Sequence, residues 1–262
     1  MIITEETNPE LTTKSFDNQH KRGDEIHPDL PHPPMSILLV GPKGSGKSNL
    51  ILRLLYGNKK PKGAKNSHHK FYRHFFDKVY IFSPTWKLDP KMKRCKIPEA
   101  QIFEDSEMYP PIIEEILLGQ AEDIEEEGKE ESENILMVFT DLAGSKGVFS
   151  NAKGIMNKLA FNLRHYKVSL IIDTQSLRQI NQAFRGNLSG CVLFSGISNR
   201  LEIQKIYDEF LGEFTKEEQA QLIEHCFAKP YDFLYINFQK HGMGRFYHNF
   251  NPLTITKKLT VV

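Results

Sequence analysis

The most specific chemistry in the chain is carried by eight consecutive residues, Gly41-Pro42-Lys43-Gly44-Ser45-Gly46-Lys47-Ser48. They satisfy every fixed position of G-x-x-x-x-G-K-[ST], a loop that holds nucleotide phosphates. Backbone N–H groups must converge on the β-phosphate, and side chains would block that approach, so glycines occupy the turn. A helix beginning at the end of the loop aims its positive pole at the same anion. In such a loop Lys47 reaches the β- and γ-phosphates, and the Ser48 hydroxyl completes a Mg²⁺ site. ATP with Mg²⁺ is therefore the expected ligand, with Gly41 through Ser48 as the binding set.

Hydrolysis at such a loop needs a carboxylate on a neighbouring strand to hold Mg²⁺, directly or through water. Many of these enzymes add a second acid that orients and deprotonates the attacking water. The apolar run Ile135 to Phe139 is followed by Thr140-Asp141, and two assignments stand open. Thr140 takes the metal position and Asp141 the water-activating one, which implies weaker Mg²⁺ binding or slower turnover. Alternatively, Asp141 itself serves the metal and has no adjacent base. Gln175, just past the run Val168 to Ile172, is placed to bond the γ-phosphate or attacking water as a sensor of hydrolysis. Arg178 and Arg185 come next, and either suits an arginine finger acting on a neighbouring subunit, Arg185 being the candidate taken forward. Asp141-Leu142-Ala143-Gly144 spells D-x-x-G, but no guanine-reading Asn-Lys-x-Asp follows it, which argues against a GTPase. His68, His69 and His74 lack paired cysteines or helical H-x-x-x-H spacing and are not read as a metal site. Trp86 either packs at a strand end or stacks on a base or nucleic-acid strand.

These groups need elements to position them. Ser36 to Val40 is a continuous apolar run of the kind buried on both faces of a parallel sheet. Leu50, Ile51, Leu54 and Leu55 share one face of the helix that follows, and Gly57 is its natural stop. Further apolar runs at Val79–Phe82, Gln101–Phe103, Ile135–Phe139, Val168–Ile172 and Cys191–Phe194 alternate with helical spacing at Ile112–Leu118, Gly154–Tyr166 and Arg200–Phe210. Thr215-Lys216-Glu217-Glu218 resembles a capping box opening a helix through Glu224. Phe233–Phe238 and Arg245–Phe250 flank the turn residues His241 to Gly244 as a hairpin. The expected fold is α/β, with a mostly parallel central sheet and a C-terminal antiparallel β-hairpin extension at one edge. Residues 1–34, polar and closed by prolines, read as a mobile or extended arm. Residues 35–262 then form one domain, with an acidic surface loop or frayed helix end at about 120–134.

A chain of 262 residues that is 39% hydrophobic and 26% charged has ordinary globular composition, which excludes collagen-like, mucin-like and wholly disordered classes. Its most apolar run, Met35 to Val40, has a strand's length, far from the roughly 20 residues of a membrane span. The start MIITEETNPE has neither a basic nor an apolar signal region, so a non-secreted protein is expected. Cys95, Cys191 and Cys226, odd in number and far apart, suggest free thiols in a reducing compartment. Overall charge is balanced, but its distribution is not. Lys59 to Lys96 holds twelve Lys and Arg against two Asp, whereas Glu99 to Glu133 holds fourteen acids against one Lys. The first block can attract phosphate backbones, and the second can repel them or mask the first.

Gly41 to Ser48, Phe82-Ser83-Pro84-Thr85, Val138 to Asp141, Arg164-His165 with Asp173-Thr174-Gln175, and Arg185-Gly186-Asn187 occur in this order over about Pro34 to Phe250. Together they resemble the poxvirus-type DNA-packaging ATPases of the FtsK–HerA superfamily, especially the compact versions of virophages and related small double-stranded DNA viruses. The resemblance implies a RecA-like P-loop NTPase core of the ASCE type. It also implies a homo-oligomeric ring, pentameric or hexameric, that moves double-stranded DNA into a capsid during ATP hydrolysis. Capsid proteins would be partners, and the setting would be the viral factory in the host cytoplasm or the virion. Carried over by position, Lys47 and Ser48 bind phosphate and Mg²⁺, Asp141 is the Walker B acid, Gln175 the sensor and Arg185 a finger. Thr140 departs from the pattern, since the family usually shows a second acid there.

Two other function classes compete with this motor. A phosphotransferase such as a nucleoside or small-molecule kinase also begins with such a loop, but usually carries an arginine-rich lid, and no late segment here clusters arginines. A weakly catalytic, nucleotide-dependent scaffold would account for Thr140.

Overall fold

Strand β2 (Ser36–Val40) is buried along its whole length and leads into the phosphate loop. Apolar residues at every position suit a central parallel strand, because alternate side chains enter opposite layers. Leu38 and Val40 join one core, whereas Ile37 and Leu39 join the other. The computed structural model describes residues 2–5, 26–57, 71–92, 95–141, 148–149, 151 and 154–256. The basic loop Lys59 to Lys70, most of the N-terminal arm, and Leu142 to Gly144 of the D-x-x-G pattern lie outside the described residues.

The parallel part of the sheet adds β3 (Lys78–Phe82), β4 (Ile102–Phe103), β5 (Ile135–Phe139), β6 (Val168–Thr174) and β7 (Gly190–Phe194). Antiparallel strands β8 (Phe233–Asn237), β9 (Phe246–His248) and β10 (Asn251–Thr256) follow, and the N-terminal strand β1 (Ile2–Glu5) pairs with β10. The order across the sheet is β1-β10-β9-β8-β7-β2-β6-β5-β3-β4. Strand β6 therefore lies between the phosphate-loop strand β2 and the acid-bearing strand β5. The chain thus has the expected α/β architecture with antiparallel strands at its C-terminal side.

One face of the sheet carries α1 (Lys47–Tyr56), whose Leu50, Ile51, Leu54 and Leu55 are buried. The other face packs α2 (Tyr109–Glu127), α3 (Ile155–Tyr166), α5 (Arg200–Phe210) and α6 (Lys216–Cys226) around Met137, Phe139, Leu170 and Leu193. The short α4 (Gln182–Arg185) lies between β6 and β7. Helix α6 opens on the expected box: Glu218 N–H donates to Thr215 Oγ1 at 3.3 Å, and Thr215 N–H to Glu218 Oε2 at 3.0 Å.

Two segments differ from expectation. The acidic stretch is helical as far as Glu127, because Ile113, Leu117 and Gln120 seat one face of α2 while glutamate, a good helix former, fills the other. Gly128, at φ 87°, ends it. The arm also stops short of Pro34. Ile26 and Leu30 are buried in the α1-side core, and Asp29 is tied to the antiparallel strands. Its carbonyl accepts from Tyr235 Oη at 2.9 Å and Asn237 Nδ2 at 3.0 Å, and its carboxylate accepts from Tyr247 Oη at 3.0 Å. Buried tyrosine hydroxyls need such partners. The acidic block also reaches the basic one: Lys78 pairs with Glu133, and Lys87 with Glu99 and Glu104.

Candidate functional site

The loop between β2 and α1 is a turn that only glycines fit. A Cβ on Gly41 would sit 2.7 Å from both Phe194 Cβ and Ser45 Oγ. Gly44 and Gly46 lie at φ 81° and 105°, a region that side chains disfavour. Gly41 N–H donates to the Thr174 carbonyl at 3.1 Å, which anchors the loop to the end of β6. Lys47 Nζ is 2.7 Å from the Gly41 carbonyl and 3.1 Å from that of Pro42. Burial pulls the Lys47 ammonium below its usual range, and the Asp173 and Asp141 carboxylates oppose that shift.

A cleft beside the loop collects the other groups. Lys47, Ser48, Ser83, Thr140, Asp141 and Gln175 line it together with Asp173. Thr140 and Asp141 directly follow β5, whereas Asp173 is the penultimate residue of β6, one strand nearer the loop. Thr140 Oγ1 donates to Asp173 Oδ2 at 2.7 Å, and Asp141 N–H to Asp173 Oδ1 at 3.0 Å. Thr85 Oγ1 donates to Asp141 Oδ2 at 2.8 Å, so the Ser83-Pro84-Thr85 turn after β3 fixes the Asp141 carboxylate. Asp141 has φ 57°, a left-handed conformation in which aspartate is among the less strained residues. Burial raises the Asp173 carboxyl above its ordinary range, against the Asp141 N–H, the Thr140 hydroxyl and Lys47, which favour its charge.

The expected set is partly brought together: Lys43, Gly44, Lys47 and Ser48 of the loop line one cleft with Asp141 and Gln175. Arg185 is not among them. It is 6% exposed and its guanidinium grips Glu209 through two bonds of 2.6 Å. It also donates to the carbonyls of Leu177 and Ile180. A side chain spent on four acceptors inside its own subunit cannot reach a neighbour's phosphate, so the finger assignment moves off Arg185. Arg178 keeps a half-exposed side chain, 3.8 Å from Glu202. Trp86 is buried at the cleft wall and packs there. Asp173 is the group that sequence reasoning left without a role. Its signal was a charged residue directly after the apolar Leu170-Ile171-Ile172.

The donor set suits a magnesium nucleotide: a tight glycine-built loop, an ammonium, a hydroxyl and two carboxylates are what triphosphate and a hard cation require. Ser48 with Asp173 or Asp141 would hold the cation.

No protein-family model matches the chain, and no curated protein matches it. Solved structures do. The DNA-packaging ATPase B204 of Sulfolobus turreted icosahedral virus superposes with a TM-score of 0.54 at 14% identity, over 82% of this chain and 97% of that one. B204 of Sulfolobus turreted icosahedral virus 2, a genome-packaging NTPase solved with sulfate, gives 0.56 at 13% identity, over 83% and 96%. Its complex with AMPPCP gives 0.53 at 15% identity, over 83% and 97%. The chain shares the fold of these B204 structures. Nearly the whole of each B204 chain is matched, so the likeness extends beyond the phosphate loop to the sheet and the helices on it. Among the described residues no helix is long and apolar enough to cross a membrane.

Proposed function

We propose that this chain is an ATP-hydrolysing motor that translocates double-stranded DNA, and that its task is to package a viral genome into a capsid. The observation that carries the reading is the convergence of Lys47 from α1, Asp141 from the end of β5, and Asp173 and Gln175 from the end of β6 on one cleft beside a complete phosphate loop. The likeness to B204 over 82% of this chain supports the packaging role, as does the ordered motif series that resembles the poxvirus and virophage type.

Mg²⁺, when bound, neutralises charge on the β- and γ-phosphates. Asp173, buried beside Lys47, serves the metal side in place of the carboxylate missing at Thr140. Asp141, held by Thr85 two residues past the end of β5, orients water and accepts its proton. Gln175, exposed at the end of β6, bonds the attacked phosphoryl group and passes the state of the nucleotide to the following loop. That loop is bound to α5 through Glu202, which accepts from Leu177 N–H at 3.0 Å and from the Ser176 hydroxyl. The working form is a ring in which Arg178 reaches the neighbouring subunit's site, with DNA in the channel and capsid proteins as the docking partner. It acts in the host cytoplasm or with the virion.

Steady-state hydrolysis measured with and without duplex DNA tests the reading. Magnesium-dependent turnover that rises with duplex DNA is expected. Turnover indifferent to DNA, with no DNA retained at low salt, overturns it.

A further inference from the structure

The cleft with the acids lies over β6 and β5, on one side of the β2 end. On the other side, over β7, a second cleft of about 470 Å³ runs from the phosphate loop to the turn between α6 and β8. A third, of about 280 Å³, opens beside Gly46 and Asn49 at the start of α1. Tyr231 lines both. Its ring comes within 3.6 Å of where a Cβ on Gly46 would stand.

Tyr231 is a poor fit to a purely structural role. It is 66% exposed, so its ring gains little from burial. Its φ is 71°, a conformation uncommon for a bulky residue. Yet its turn is firmly held. Asp232 N–H donates to the Lys229 carbonyl at 3.2 Å, and Ser195 N–H to the Asp232 carbonyl at 2.8 Å. The Asp232 carboxylate accepts from Lys229 N–H at 3.0 Å and from Asn249 Nδ2 at 2.7 Å. A strained, fixed turn therefore presents an aromatic face to solvent directly beside the phosphate loop. Ser45, which lines both clefts, also has a buried hydroxyl with no hydrogen-bond partner.

We infer that Tyr231 is the stacking platform for the base of the nucleotide whose phosphates the loop holds. This rests on the loop's phosphate-binding role. The occupant is a nucleobase because an aromatic ring next to a phosphate site offers the π-face that every base can use. Purines, with the larger ring system, are favoured. Stacking carries no hydrogen-bond code, so adenine and guanine nucleotides bind alike.

The test compares a non-hydrolysable ATP analogue with inorganic tripolyphosphate, both with Mg²⁺, by calorimetry. The readout is the ratio of the two affinities. In Tyr231→Ala the ratio falls about tenfold, the scale of one lost base–aromatic stack, while tripolyphosphate binds as before. Tyr231→Phe keeps the wild-type ratio. An unchanged ratio in Tyr231→Ala, or an equal loss of both ligands, overturns the platform and leaves the phosphate loop standing. Wild-type protein that binds neither ligand overturns the loop reading and this inference together.

Discussion

The Thr140 hydroxyl donates a 2.7 Å hydrogen bond to the buried Asp173 carboxylate, across the junction of β5 and β6. Ladder register runs to Phe139 opposite Ile172, so the next pair along is Thr140 with Asp173. A carboxylate absent from the end of one strand is thus supplied by its neighbour, one strand closer to Lys47. The threonine is the donor that holds it in place.

Asp173→Asn tests the division of labour between the two acids. The amide can keep both contacts, accepting from Asp141 N–H and donating to Thr140 Oγ1, so the fold is retained. The Mg²⁺ concentration for half-maximal turnover is expected to rise about 10- to 100-fold, with nucleotide affinity in chelator unchanged. Asp141→Asn should instead lower turnover about 10²- to 10⁴-fold at an unaltered Mg²⁺ requirement. The reverse pattern would assign the metal to Asp141.

Stability against pH carries a second prediction for Asp173. Its carboxyl titrates above the unfolded value of 3.8 because burial disfavours the charge. The native state therefore binds the proton more readily than the unfolded chain does. The stability this confers is complete below pH 3.8 and is lost as pH rises through the higher native value. At neutral pH the nucleotide-free protein carries a buried charge at some cost, and Asp173→Asn should melt higher than wild type. The gap should shrink as pH falls. A variant that melts lower at pH 7, with a constant gap, would refute the argument.

Arg185 and Arg178 should separate into structure and function. Arg185→Met leaves Glu209 with the 3.7 Å Lys205 contact and takes a buried donor from the Leu177 and Ile180 carbonyls, and is expected to cost about 3 kcal/mol in chemical denaturation. Arg178→Ala, at an exposed position, should change stability by no more than about 0.5 kcal/mol. Its effect should fall on turnover of the assembled protein. Equal stability losses would place both arginines in the fold alone.

Local signals made most of this architecture legible. The phosphate loop, the buried strands and the Thr215 capping box each depend on residues a few positions apart, where periodicity and motif spacing are informative. What stayed hidden depends on neighbours distant in the chain. Asp173 acquires its role only because β6 inserts between β2 and β5. Arg185 is buried because Glu209, 24 residues later, closes on it. Ile26 and Leu30 are too few to show a period, and their segment is held by Tyr235, Asn237 and Tyr247, more than two hundred residues away. The glutamates of α2 mark an exposed helix face as readily as a loop.

Gly41 and Gly44 should respond differently to the same added methyl. At Gly41 the new Cβ meets Phe194 Cβ and Ser45 Oγ at 2.7 Å. Phe194 Cβ is close to its backbone and cannot swing aside, so the loop itself must move. Overpacking of this kind costs about 1 to 3 kcal/mol. It also turns the loop N–H groups away from the point where they converge. Gly44 has open space around its Cβ position and only its φ of 81° to penalise a side chain. Gly41→Ala should therefore melt lower and lose the upward melting shift that an ATP analogue with Mg²⁺ produces in wild type. Gly44→Ala should keep a reduced shift, since its loop path is strained but unobstructed. A Gly41→Ala protein with a full ligand shift would show that the tight approach of loop to β7 does not aim the phosphate cradle.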